Sequence, residues 1–152
     1  MRTWLPFVVM TVLSWGTYIP TLHRGQQALG SSGVHAFLMV GAAYLVVAIA
    51  VPGMMIARAG TWNLFGDNPN GMLFTFAAGV LGAVGALGIV LALVNGGRPN
   101  VVPPLVFAGA PVVSVFVAML YNPPQESPSP LFFLGILMAA AGAFLVLSYR
   151  PH

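Results

Sequence analysis

The chain has 152 residues, of which 59% are hydrophobic and only 5% charged, against roughly a quarter charged in a soluble domain. Its formal net charge of +3 comes from five Arg, no Lys and two acids, Asp67 and Glu126, with no basic run. This excludes a clustered nucleic-acid-binding face. The absence of cysteine excludes disulfides, thiolate metal sites and cysteine nucleophiles. With a mean hydropathy of +0.93, the chain reads as a polytopic membrane protein, because lipid as a solvent asks for few charges.

A bilayer-spanning helix needs about 20 apolar residues. Five stretches qualify, at 4–22, 34–57, 71–94, 101–121 and 131–149, none with a formal charge in its middle. The predicted fold class is all-α, with five transmembrane helices in a single membrane domain over 1–152. The first stretch competes with a signal peptide, since Ala28-Leu29-Gly30 resembles a cleavage site. Its apolar run exceeds the ~7–15 residues of a signal core, so a retained helix is expected.

A polar loop, His23–Gly33, follows. The second span opens at His35 and holds the pair Pro52-Gly53, which should kink or end the helix. Arg58 marks the interface, with Trp62 and Phe65 at headgroup depth. Asp67-Asn68-Pro69 is a helix start, with a capping side chain ahead of a first-turn proline. The third and fourth spans meet at the Asn95–Asn100 turn. A proline-rich connection over 121–130 ends in Ser129-Pro130, the cap and first residue of the fifth helix. Tyr149-Arg150 suits the closing interface.

Five spans place the termini on opposite sides. Arg2, Arg58 and both acids share one side, and Arg24, Arg98 and Arg150 the other. Because cytoplasmic loops attract Lys and Arg, the bias favours N-out and C-in. Its margin of one also fits dual topology.

Helices in lipid associate where small residues let them approach. Gly79, Gly82, Gly85 and Gly88 recur every third residue, a stripe that winds around the third helix and serves more than one neighbour. Gly135, Ala139 and Ala143 form a straight seam at spacing four on the fifth. Pro111 lies mid-span in the fourth helix, where it withholds a backbone donor. Thr11, Ser14, Trp15, Tyr18, Tyr44, Pro111 and Ser114 are the substrate-cavity candidates. Trp15 and Tyr18, three apart, share a face with Thr11 and Ser14. Such an aromatic and hydroxyl-bearing wall suits a small neutral or amphipathic solute. Ordinary helix packing, a structural kink and interhelical hydrogen bonds are the alternative uses of these residues.

No carboxylate pair, Ser-His-Asp set or phosphate loop is visible, so no enzyme activity and no cofactor are expected. No acid sits at membrane depth to carry protons. His23 and His35 share a membrane face, where a bis-imidazole metal or haem site competes with solvated interface histidines.

Trp15-Gly16 in the first helix, the Gly/Ala-rich third helix ending in a short turn, Ala110-Pro111 in the fourth, and Gly135 with Gly142 in the fifth occur in an order that resembles one five-helix repeat of the EamA-type drug/metabolite transporter superfamily. The resemblance covers nearly the whole chain. It implies a metabolite transporter of a bacterial inner membrane that needs a second, inverted copy, hence a homodimer. Trp15, Tyr18 and Pro111 are the positions it carries over to the cavity. Two features depart from the pattern: no Arg stands between Val40 and Val47, and Glu126 comes late, among prolines. The competing expectation is a non-catalytic accessory subunit packed in a larger membrane complex.

Overall fold

A computed structural model of the chain describes residues 3–60, 66 and 68–149. Among these are five α-helices and no strand: α1 (Leu5–Ala28), α2 (Gly33–Ala59), α3 (Pro69–Val94), α4 (Val102–Tyr121) and α5 (Pro130–Ser148). All five are long and apolar enough to cross a membrane. The protein is therefore an all-α integral membrane protein with five membrane-spanning helices. Arg2, Trp62, Phe65, Asp67 and Arg150 lie outside the described residues.

Local chemistry explains most of the boundaries. Asn68 caps α3, its Oδ1 accepting from the Asn70 and Gly71 amides at 3.0 and 3.2 Å. Ser129 caps α5 by accepting from the Leu131 amide at 3.2 Å. Pro69 and Pro130 are the first helical residues, where a missing N–H costs nothing because it has no acceptor in the helix. In α4 the same holds for Pro103 and Pro104 in the first turn; Val101 supplies no side-chain cap there.

One boundary differs from expectation. α1 does not stop at residue 22 but runs six residues further, to Ala28, and shrinks the expected loop at 23–33 to Leu29–Ser32. Arg24, Gln26, Gln27 and Ala28 are good helix formers, and the single Gly25 costs only about 1 kcal/mol. The helix then closes with a Schellman motif. The Ser31 amide donates to the Gln26 carbonyl at 2.9 Å and the Gly30 amide to the Gln27 carbonyl at 3.1 Å. Gly30 holds φ +69 to make this possible, a conformation that glycine adopts without a Cβ clash.

α2 passes through Pro52-Gly53 to Ala59, two residues past the expected end of its span at 57. A proline inside a helix withholds the hydrogen bond to the carbonyl four residues back, and membrane helices tolerate that loss.

The helices fall into two compact units. In the first, described over 3–20 and 96–149, α4 packs on α5, and Ile19, Val101 and Val102 are buried. In the second, described over 21–60, 66 and 68–95, α2 packs on α3. Its buried face on α3 is Ala86, Ile89, Val90 and Leu93, the i, i+3, i+4, i+7 pattern of one helix stripe. Leu22, Gln26 and Ala36 are buried with them. Away from this junction, residues 41–52 of α2 and 69–85 of α3 are exposed. That is the expected condition of surfaces made for lipid or for other helices.

Candidate functional site

The sequence-predicted wall on α1 lies in the first unit. Trp15 reaches α4, where its ring meets Phe107 with centroids 5.8 Å apart and planes tilted by 46°. Offset and tilted pairs of this kind suit the ring quadrupoles. Phe107 precedes Pro111 by four residues, so both stand on one face of α4, one turn apart. Ser114 continues that face at i+7 from Phe107. Trp15 thus brings the aromatic wall of α1 against the proline-bearing face of α4. Trp15 remains 54% exposed, so its ring is available to a further group.

Consecutive membrane spans alternate in direction, so α1 and α4 run antiparallel. Stepping back one turn from Trp15 reaches Thr11, while stepping forward one turn from Phe107 reaches Pro111.

Two threonine hydroxyls of α1, Thr11 on this wall and Thr17 off it, turn back onto their own helix. The Thr11 hydroxyl donates to the Phe7 carbonyl at 2.9 Å. The Thr17 hydroxyl donates to the Leu13 carbonyl at 2.9 Å and reaches the Ser14 carbonyl at 3.1 Å. Each threonine thereby commits its proton to its own helix. Pro111 offers no N–H to the carbonyl of Phe107. Tyr18 is half-buried, whereas Ser14, Pro111 and Ser114 are exposed.

The other candidates are distributed differently. Tyr44 lies in α2, in the second unit, and is half exposed. Gly79, Gly82, Gly85 and Gly88 are exposed on α3, and a Cβ built on any of them would meet nothing within 4 Å. The same is true of Gly135 on α5, where Ala139 is exposed and Ala143 half-buried. An open groove of about 1100 Å³ runs along the first half of α3, past Asn68, Met72, Thr75, Phe76, Gly79 and Ala83. The Thr75 hydroxyl donates to the Gly71 carbonyl at 2.7 Å, again within its own helix.

Each histidine is engaged close to home. His35 Nδ1 lies 2.7 Å from the Ser32 hydroxyl, which also accepts from the His35 amide at 3.4 Å. Gln27 Nε2 lies 3.2 Å from His23 Nε2, an arrangement in which the amide donates to the ring. His23 Nδ1 is buried and has no hydrogen-bond partner. No group of three His, Cys, Asp or Glu able to hold a metal occurs among the described residues.

Sequence reasoning missed two residues. Phe107 is one apolar residue among many in α4, and its only signal is its position four before Pro111. Gln26, 3% exposed, donates from Nε2 to the Val90 carbonyl at 3.4 Å. Its signal was its place four residues after Leu22, on the continuation of the α1 helix.

No family model, no curated protein and no solved structure matches the chain.

Proposed function

We propose that the chain is a membrane transporter of a small solute, one five-helix half that works as a homodimer of oppositely inserted copies in a bacterial inner membrane. It resembles a single repeat of the EamA-type drug/metabolite transporters and carries out no reaction of its own. The observation that supports this reading best is the contact of Trp15 with Phe107. It sets Trp15 against the face of α4 that carries Pro111, with ring surface left open to a solute. A proline at mid-span leaves the carbonyl one turn back without its helical donor, a group that can line a transporter cavity. The near balance of arginine, Arg2 and Arg58 against Arg24, Arg98 and Arg150, is what insertion in both directions requires.

The test is to map both termini in the native membrane, measure native mass in mild detergent, and follow uptake in proteoliposomes. Both orientations, a dimer mass and saturable uptake are expected. A single orientation in every molecule rules out the inverted dimer.

A second reading has its own support. α5 has no buried residue, and the glycine stripe of α3 is bare, as in an accessory subunit that lends its faces to a larger membrane complex. That reading predicts a large native mass and no uptake.

A further inference from the structure

We propose that Asn95-Gly96, in the turn that closes α3, is a site of spontaneous chemical modification. It loses ammonia through a succinimide and leaves a carboxylate at the end of α3, which loosens that end. The inference goes beyond the transport reading and does not depend on it.

The chain has six asparagines: Asn63, Asn68, Asn70, Asn95, Asn100 and Asn122. Ring closure uses the amide nitrogen of the following residue as the nucleophile. Asn68 and Asn122 precede proline, which has no N–H to give up. Asn63 and Asn100 precede Leu64 and Val101, whose side chains crowd the approach. Only Asn70 and Asn95 precede glycine. In such a pair the glycine nitrogen loses its proton to hydroxide and attacks the asparagine Cγ. The N–Cγ bond forms, the Cγ–Nδ2 bond breaks, and ammonia leaves. Water then opens the five-membered ring at one of its two carbonyls, giving aspartate or isoaspartate.

The fold treats the two pairs differently. Asn70 is the second residue of α3, and the Gly71 amide, the nucleophile of that pair, donates to Asn68 Oδ1 at 3.2 Å. The Met72 amide donates to the Asn68 carbonyl at 3.0 Å, and the Thr75 hydroxyl to the Gly71 carbonyl at 2.7 Å. Swinging the Gly71 nitrogen onto Asn70 therefore breaks the cap and the first turn. Asn95 lies one residue past α3, at φ −87 and ψ 25. Its own amide donates to the Leu91 carbonyl at 3.0 Å, a bond that rotation about ψ leaves intact. Among the described residues the Gly96 amide donates to no acceptor. Gly96 holds φ +88, and a Cβ built on it would meet nothing within 4 Å. The one restraint on the Asn95 side chain is an exposed bond from Nδ2 to the Leu91 carbonyl at 2.8 Å.

That bond is what the conversion destroys. A carboxylate has no N–H for the Leu91 carbonyl, and its charge is repelled by the negative end of the helix. The isoaspartate form also adds a methylene to the main chain. Both changes fall beside Val90 and Leu93, which are buried.

The full chain in phosphatidylcholine nanodiscs is aged at mildly alkaline pH and digested at intervals. Peptide mass spectrometry then counts the converted and unconverted forms at positions 70 and 95. Asn95 is expected to convert at least about fivefold faster than Asn70, the factor that the loss of one helix cap corresponds to. In denaturant the two rates should become equal, since the fold is what separates the two Asn-Gly pairs. Asn68→Ala removes the cap and should speed conversion of Asn70 by about fivefold, with Asn95 unchanged. Asn95→Asp, which carries the product, should lower the thermal midpoint in detergent, and the aged chain should drift the same way. No conversion at either position, equal rates in the folded chain, faster conversion of Asn70, or a ratio that survives denaturant overturns the proposal. So does an Asn70 rate indifferent to Asn68→Ala, or an unchanged midpoint in Asn95→Asp. If Asn68→Ala does not fold, the comparison of folded with denatured chain decides.

Discussion

The two units solve the same problem in opposite ways. Where the end of α1 and the start of α2 meet the end of α3, the protein closes its junction with the smallest side chain and a buried amide. Gly33 sits so close to α3 that an added Cβ would lie 2.8 Å from Val94 Cγ2 and 3.2 Å from Val90 Cγ1. Gln26 donates to the Val90 carbonyl beside it. In the first unit, α1 meets α4 through two aromatic rings and leaves Trp15 half exposed. A junction of small residues gives rigidity, because close-packed atoms have no room to shift. A junction of large rings with open faces leaves surface for a guest. Stability and recognition are therefore expected to separate between the units.

The largest effect is expected at Gly33. Gly33→Leu drives a side chain into Val90 and Val94, and overpacking of this kind costs about 1–3 kcal/mol. Thermal unfolding in detergent should show it as a lowered midpoint. An unchanged midpoint would mean that the α2–α3 junction is not close-packed.

Gln26→Ala comes next. It removes a buried hydrogen bond and opens a small cavity, at a combined cost of about 1–2 kcal/mol. Gln26→Leu should cost less, because it fills the space and the Val90 carbonyl keeps its own helical amide. If the leucine variant proves the weaker of the two, the bond to Val90 contributes more than the packing does.

Trp15→Ala sharpens the contrast. Removing one member of the ring pair should lower stability by about 1 kcal/mol, the worth of an aromatic pair, and should abolish solute binding. The two are read from the same sample by melting and by calorimetry. A large loss of stability with binding intact would make Trp15 a packing residue and move the site elsewhere.

Thr11→Val is expected to have the smallest effect on folding, about 0.5 kcal/mol or less, since it deletes only a bond within α1 and the helix keeps its backbone ladder. Solute affinity should fall by about threefold, less than a full hydrogen bond is worth, because one contact of several is lost. An unchanged affinity places Thr11 outside the contact surface.

Most of the architecture was legible because the signals are local. Five apolar runs near 20 residues, Asn68-Pro69 and Ser129-Pro130 sufficed to locate the helices and two of their starts. The end of α1 was misjudged for a physical reason. Polarity at 23–28 read as loop. A helix continues through such residues when its burial elsewhere and its cap further on make continuation favourable, and neither shows in a local window. The site was half legible. Trp15 and Pro111 stood out by type, whereas Phe107 and Gln26 matter only through what they touch.

By itself the sequence determined that this protein lives in a membrane, that it is all helical, and roughly where each helix runs. Those properties follow from hydropathy, helix length and capping, which depend on neighbours along the chain. Only the tertiary structure decided that Trp15 pairs with Phe107, that Gly33 closes on Val94, and that Gln26 is buried on Val90. Each joins residues more than sixty positions apart, and such pairings depend on how whole helices pack rather than on any pattern within one of them.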